Sequence, residues 1–382
     1  MSSAHAVSRR LMRVVPALAS AVLLAAPALA PRAVADDQPT PAPAAAPSPS
    51  PEPPKVDVVG FVDVYYGYNF NKVDPALRTF DVQHNTFSLS LAELNFTKTP
   101  TADSRVGFRA DLDFGKTADL VAAYEPESSG KEIYKHVQQA YVSLLTGKVQ
   151  WDAGKFVTPM GAEVIESQDN WNYSRSILFG YAIPFYHVGV RATYTLDAKT
   201  TLGAQLVNGW NNSSETNGDK TVHLSLTLKP DAKLTWVANY MVGKEAPAGA
   251  AVRDVRNLFD TTLTYAATPK LSLQANVDYG KEGAVKWWGV DGYAKYQATP
   301  AWAVVGRYEY VDDSKGSFMT IGGKAQSLTL TSDHLIAGGL RTRLEYRLDH
   351  ADTSFFSKSN GSKTNNQSTL TVGLVYLFNG KI

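Results

Sequence analysis

Charged side chains recur at alternate positions in many segments of this sequence. In SRVGFRADLDF, Arg109, Asp111 and Asp113 share one parity, while apolar residues occupy the other. The predicted pore-lining set, which contains eight basic and five acidic residues, comprises Arg105, Arg109, Asp111, Asp113, Arg191, Asp291, Lys295, Arg307, Glu309, Arg341, Arg343, Glu345 and Arg347. Such side chains along a water-filled path would orient polar solutes and reject apolar ones. The chemistry that they indicate is therefore electrostatic selection of solutes.

One part of this set is mainly basic. Arg341, Arg343 and Arg347 share a parity in LRTRLEYRLD, and they resemble the ladder of unpaired bases that a phosphate-selective pore would use. Elsewhere the two signs are interleaved within each segment. Two arrangements therefore remain open for these side chains. Opposite charges on neighbouring segments pair with one another, or the charges stay unpaired and act on passing solutes.

Catalytic and cofactor motifs are not found in the sequence. No GxGxxG fingerprint precedes a helix, no GxxxxGK[ST] loop occurs, and the seven histidines include no pair at metal-ligand spacing. His187 could act as a base for Ser174 or Ser176, but a histidine near a serine in a loop is usually incidental. The sequence therefore predicts no catalytic residues, no metal and no cofactor.

The alternation of polar and apolar residues indicates strands, because a strand turns successive side chains to opposite faces. The segments run for about ten to twelve residues, close to a tilted membrane-spanning strand and longer than most strands of soluble sandwiches. Aromatic residues such as Tyr66, Trp236 and Trp288 lie near the ends of the apolar faces, as in the aromatic girdles of membrane barrels. The predicted fold class is all-β, a transmembrane antiparallel β-barrel.

The links between segments alternate between short and long. Short links occur at 99–103, 146–148, 197–199, 230–233, 268–270, 299–300 and 337–339, and long ones near 69–84, 115–135, 157–185, 209–220, 243–257, 281–285, 312–324 and 350–366. This alternation predicts about sixteen strands, with short periplasmic turns, long extracellular loops and both chain ends in the periplasm. Fourteen or eighteen strands remain alternatives, because the count depends on dividing 325–349 in two.

The longest link, within Lys155–His187, is predicted to fold into the lumen as a constriction. An extracellular cap or a plug that closes the barrel is the alternative. The predicted constriction residues are Glu163, Glu166, Asp169, Trp171, Tyr173 and Arg175. The three acids are expected to face the basic group of Arg341, Arg343 and Arg347.

The two ends of the chain indicate targeting. Arg9, Arg10 and Arg13 precede an apolar stretch and the AVA sequence at 33–35, which predicts a signal peptide over residues 1–35. Residues 36–55 are rich in proline and alanine and predict a disordered linker, followed by a barrel over 56–382. The final segment TLTVGLVYLF resembles the terminal strand signal that the outer-membrane insertion machinery reads, although NGKI follows it.

The segment GKFVTPMGAEVIESQDNWNYSRSILFGYAIPFYHVGVRATY resembles the OmpL-like beta-barrel porin family of bacterial outer membranes. GFVDVYYGYNFN and LRTRLEYRLDH support this resemblance, which covers roughly residues 60–378. It implies a porin-type protein of the outer membrane and does not specify a solute.

These observations predict a water-filled channel for passive diffusion of small hydrophilic solutes. A non-conducting structural or adhesive barrel with a plugged lumen is the alternative, and a barrel-wall hydrolase is a third reading. The expected partners are outer-membrane lipid, the insertion machinery and the solutes, with a homotrimer as one oligomeric state open to such a barrel. A net charge of +1 argues against binding to nucleic acid.

Overall fold

The computed structural model describes residues 55–123, 125, 131–246, 249–251 and 254–381. The predicted signal peptide and nearly all of the predicted linker lie outside the described residues. No helix within the described ranges is long and apolar enough to cross a membrane.

Alternating segments form long antiparallel strands, as the sequence predicts. The strands are β1 (Asp57–Asn69), β2 (Thr86–Lys98), β3 (Val106–Phe114), β4 (Val137–Thr146), β5 (Val149–Val157), β6 (Tyr186–Thr195), β7 (Thr200–Val207), β8 (Thr221–Leu228), β9 (Leu234–Lys244), β10 (Val255–Ala266), β11 (Leu271–Glu282), β12 (Val285–Thr299), β13 (Trp302–Lys315), β14 (Lys324–Ala337), β15 (Leu340–Ala351), β16 (Phe356–Ser357), β17 (Lys363–Thr364) and β18 (Asn366–Lys381). Two short helices, α1 (Lys116–Ala122) and α2 (Lys131–Tyr134), lie between β3 and β4.

Sixteen of these strands close into one barrel. Each strand pairs with its neighbour in sequence, and β1 closes the ring by pairing with β18, with Phe61 opposite Leu377. The strands β16 and β17 form a separate small hairpin in the last long link. The prediction of an antiparallel barrel with about sixteen strands is confirmed.

The links alternate between the two ends of the barrel as predicted, with one difference in length. The link expected near 281–285 is a tight turn of Gly283 and Ala284, because β11 and β12 remain paired as far as Glu282 and Val285. Gly283 has φ of 58°, which glycine adopts more readily than other residues. The strands therefore extend beyond the point where the sequence pattern suggested a loop.

The outer face of the barrel is apolar. Val190, Leu224, Leu330 and Leu344 are exposed, whereas their neighbours of opposite parity face the interior. An apolar outer band suits contact with lipid tails.

The interior is filled to a large extent by loops. We name residues 70–85 L1 and residues 158–185 L3. Their apolar side chains form a buried core with inward-facing wall residues such as Phe61, Leu258 and Val311. The loop members of this core include Leu77, Phe80, Met160, Ile165, Ile177, Leu178, Phe179, Ile183 and Phe185. The buried hydrophobic core of the described residues thus lies inside the barrel, and L1 and L3 supply much of it.

Candidate functional site

L3 enters the barrel and satisfies its backbone with side chains of the wall. The Tyr173 and Ser174 amides donate hydrogen bonds to Glu345 of β15, over 2.6 Å and 2.9 Å. The Ile177 amide donates to Glu309 of β13 over 2.6 Å. Because a buried amide without a partner is costly, these wall carboxylates are needed by the loop that covers them.

The wall also supplies donors to the carbonyl groups of L3. The Arg343 guanidinium donates to the carbonyl oxygens of Asn170 and Asn172, over 2.6 Å and 3.3 Å. Arg347 donates to the carbonyl oxygen of Arg175 over 2.6 Å. The basic group that the sequence singles out therefore binds the loop backbone, and two of its members, Arg343 and Arg347, are buried.

One buried ion pair connects L3 and the wall, and two others lie between wall residues that contact L3. Arg307 Nη1 lies 2.7 Å from Glu163 Oε1, with both side chains buried. Arg347 lies 3.1 Å from Glu309 and 2.7 Å from Asp349. Such pairs are stable only when their geometry and additional hydrogen bonds offset the loss of hydration. Here the Arg307–Glu163 pair holds L3 against β13, and the other two pairs position Arg347 and Glu309, which bind the L3 backbone.

L1 also folds inward and packs on L3. Arg78 lies 2.8 Å from Asp349 of the wall and 3.1 Å from Asp81. The Phe80 ring contacts Phe179 and Phe185 of L3, with centroids 6.2 Å and 6.1 Å apart. The interior therefore contains two loops that are bound to each other and to β15.

A polar cavity of about 560 Å³ remains beside L3. It lies between residues 164–169 of L3 and the sector of the wall from β1 to β6. Its lining comprises Val59, Glu93, Asn95, Thr97, Arg109, Gln139, Tyr141, Val157, Val164, Glu166, Gln168, Asp169, Arg191 and Leu377. Val59, Thr97 and Leu377 lie near the short-turn ends of their strands, so the cavity extends toward the predicted periplasmic end.

Two arginines of the cavity are already paired with carboxylates. Arg109 Nε lies 2.8 Å from Asp111, and Arg191 Nε lies 2.7 Å from Asp152. The Arg191 guanidinium also lies over the Tyr141 ring, 4.9 Å from its centroid. Both arginines are partly exposed, whereas both carboxylates are buried.

Acidic side chains are crowded beside the same cavity. Glu93 of β2 stands directly opposite Asp113 of β3, and Glu166 of L3 accepts a hydrogen bond from Gln138. Glu93 Oε2 and Asp113 Oδ1 have no hydrogen-bond partner among the described residues. Burial raises the pKa of Glu166, and the charges of Asp111 and Asp169 raise it further.

A smaller cleft of about 210 Å³ lies at the opposite edge of L3. Asp169 and Arg341 both line it, and Arg341 Nη1 is 3.3 Å from Asp333. Asp169 is exposed, and Lys295 Nζ lies 5.9 Å from the centroid of the Trp171 ring. Asp169 is the acid of L3 that shares a cleft with the predicted basic group.

The structure thus divides the predicted residues into separate environments. Arg105 lies before β3, exposed in a turn. Glu163 pairs with Arg307 rather than with the 341–347 group. Asp291 is buried and accepts a hydrogen bond from Tyr293 over 3.1 Å, and Tyr173 donates one to Asp63 over 2.9 Å.

Sequence reasoning missed Arg78 and Glu93. Arg78 belongs to a loop, where no periodicity applies. Glu93 follows a bulge in β2, where Leu89 and Leu91 pair with consecutive residues of β1 and Ser90 is extra. A bulge shifts the alternation by one residue, so parity counted from the start of β2 assigns the wrong face.

The groups that were considered for catalysis are not arranged for it. His187 is buried, with Nδ1 3.0 Å from the Gly209 carbonyl oxygen and Nε2 3.3 Å from Thr158 Oγ1. Ser174 is bound by Arg307. Within the described part of the chain, no group of three or more His, Cys, Asp or Glu side chains could hold a metal ion.

A family model described as "Putative beta-barrel porin-2, OmpL-like" matches residues 55–378. The chain belongs to this family. As an OmpL-like porin-family barrel, it is a protein of the bacterial outer membrane, as predicted from the sequence. A comparison with curated protein sequences finds no match.

Solved structures of other porins share the fold of this OmpL-like chain. The outer membrane channel DcaP of Acinetobacter baumannii is 15% identical, with a TM-score of 0.59 over 85% of this chain and 97% of that chain. OmpT of Vibrio cholerae, solved in a trimer form, is 13% identical, with a TM-score of 0.57 over 85% and 99%. An anion-selective porin from Comamonas acidovorans gives the same identity, TM-score and coverage as OmpT. At these identities the likeness concerns the fold alone.

Proposed function

We propose that this protein forms a water-filled channel through which small hydrophilic solutes diffuse across the outer membrane. L3 is the constriction, and the solutes pass beside it, along the sector of the wall from β1 to β6. The polar cavity of about 560 Å³ carries this proposal, because it runs along L3 inside a closed barrel whose outer face is apolar. Charged and amide side chains around it suit hydrated polar solutes.

The bases beside this cavity are not those of the 341–347 group, which the acids of L3 were expected to face. Arg109 and Arg191 lie on β3 and β6, and Glu166 and Asp169 lie on L3. A solute in the cavity therefore meets both signs. Two members of the 341–347 group, Arg343 and Arg347, instead bind the backbone of L3 and hold it in place.

A plugged barrel is the second candidate, and the packing of the loops favours it. L1 and L3 share one apolar core, and L3 is bound by wall residues from β1 to β15. In that case the cavity would be a closed vestibule, and the barrel would have a structural or adhesive role. We assign no catalytic role, since His187 and the nearby serines are engaged in structural hydrogen bonds.

Conductance of the purified protein in a planar lipid bilayer tests the channel proposal. Ohmic steps in potassium chloride are expected, together with swelling of liposomes that contain the protein in an isotonic pentose. A variant that lacks part of L3 around Trp171 should conduct more than the wild type if L3 narrows the path. A silent wild-type barrel with a conducting deletion variant would support the plugged barrel instead.

We also infer the partners that an outer-membrane channel requires. Lipid covers the apolar outer face, and the insertion machinery recognises the last strand. A homotrimer is proposed because porin relatives of the same fold include a trimeric one. Cross-linking of the protein in its native membrane tests this oligomeric state.

A further inference from the structure

We propose that the opening beside L3 favours cationic over anionic solutes. This inference rests on the proposed channel and names the class of solute that it selects. The observations that carry it are the cavity and the way in which its charges are compensated.

The positive charges beside the cavity are compensated by buried carboxylates. Arg109 is paired with Asp111, and Arg191 is paired with Asp152, each through Nε. Lys155, on the same side, lies 3.6 Å from Glu125. A neutral pair has a weaker and shorter-ranged field than a single charge, so these three bases attract anions only weakly.

The carboxyl groups beside the cavity have no basic partner among the described residues. Asp169 is exposed, and Glu93 lines the cavity while being only 2% exposed. Glu93 Oε2 has no hydrogen-bond partner among the described residues, and the same holds for the nearby Gln138 Oε1. A cationic ammonium or guanidinium group supplies the donors that these oxygens lack.

The crowding of Glu93, Asp113 and Glu166 limits their charge but does not remove it. Neighbouring carboxylates resist ionising together, so the three carry less charge than three separate carboxylates would. Even when they hold a single charge between them, that charge adds to Asp169. The cavity then remains negative, because the paired arginines contribute no net charge.

The smaller cleft on the other side of L3 is the more basic of the two, and the cation preference is not assigned to it. Arg341 and Arg343 share Asp333 there, at 3.3 Å and 3.5 Å, and Arg343 also donates to carbonyl groups of L3. Lys295 is half-buried near Trp171. The larger opening, which carries most of the current in the proposed channel, is the acidic one.

The test is the reversal potential of the full-length protein in a potassium chloride gradient across a planar bilayer. Wild type should be more permeable to potassium than to chloride, by roughly threefold at 0.1 M salt, where the Debye length is about 10 Å. The triple variant Glu93→Gln, Glu166→Gln, Asp169→Asn should lose this preference. A control variant with Asp103→Asn, Asp197→Asn and Asp231→Asn removes three exposed acids from turns at the same end of the barrel and should keep the preference.

The outcomes separate the inference from the proposed channel. A conducting wild type that is unselective or prefers chloride overturns the cation preference and leaves the channel intact. A selective wild type whose preference survives the triple substitution removes these residues as its source and overturns the inference. A silent barrel overturns both proposals. Heat-modifiable migration on gels shows whether each variant is folded, and Glu166→Gln alone provides the same test if the triple variant does not fold.

Discussion

The Arg307 guanidinium and the Glu163 carboxylate lie 2.7 Å apart, with both side chains buried, and they join L3 to strand β13. Arg307 also donates to the carbonyl oxygen of Ser174 over 2.7 Å. One wall residue thus binds two distant points of the same loop. The position of L3 inside the barrel depends on a small number of such contacts.

Breaking this pair should loosen L3. Glu163→Gln keeps the shape of the side chain but leaves Arg307 with an uncompensated charge, and removal of one partner of a buried pair costs about 3–5 kcal/mol in other proteins. We expect a higher and noisier single-channel conductance and faster proteolysis within L3. Lys135→Gln, which breaks pairs with Asp119 and Glu132 outside L3, is the control and should leave both unchanged. If Glu163→Gln has the same conductance and the same resistance to proteolysis as the wild type, the pair does not hold L3.

Strand β6 should tolerate a charge on its inner face but not on its outer face. Val190 is 45% exposed on the lipid side, so Val190→Arg should cost about 2–4 kcal/mol if it lies near the membrane midplane. Thr193, on the opposite parity, faces the interior, and Thr193→Arg should fold normally. Urea titrations in lipid vesicles measure the free energy of unfolding of both variants. Equal destabilisation by the two substitutions would contradict the assigned faces.

Strands β4, β5 and β6 approach closely at a glycine pair. Gly154 stands opposite Gly189, and a Cβ at Gly154 would lie 2.2 Å from the Ala140 carbonyl oxygen. Gly154 also has φ of 142°, which side chains rarely adopt. Gly154→Ala should therefore destabilise the barrel by about 1–3 kcal/mol.

The control for this prediction is Gly292→Ala in β12, where a Cβ meets nothing within 4 Å. Heat-modifiability on gels reports the folded fraction of each variant over a range of temperatures. If Gly154→Ala and Gly292→Ala unfold at the same temperature as wild type, the close approach in the wall is not present in the folded protein.

The proposed cation preference should weaken as the pH falls. The pKa of Glu166 is raised by burial, so this side chain loses its negative charge at a higher pH than an exposed glutamate would. Protonation removes negative charge from the cavity, and the potassium to chloride permeability ratio should decline as the pH falls through this raised pKa. Glu166→Gln should shift the wild-type pH profile, and an identical profile in the variant would exclude Glu166 as the titrating group.

Residues 1–35 are proposed to be removed on export. Sequencing of the mature N-terminus from the outer-membrane fraction should find Asp36, following the AVA sequence at 33–35. An intact Met1 in the mature protein would contradict the predicted signal peptide.

The sequence by itself determined the wall of this protein. Period-two alternation is local, because each side chain takes its face from its position in the strand, and segment lengths and links then limit the strand number. Val190 and Arg191 could be assigned to opposite faces from the sequence alone. The alternation failed at Glu93, where an extra residue in β2 reverses the faces.

Only the tertiary structure decided what the inward-facing charges contact. A loop has no periodicity, so nothing in the sequence indicates that Glu163 meets Arg307 or that Arg78 reaches Asp349. The parity of Arg343 and Arg347 placed them inside the barrel, but their binding to L3 carbonyl groups depends on how the loop folds. Inward orientation is a property of the strand, whereas exposure to water depends on long-range packing that brings distant segments together.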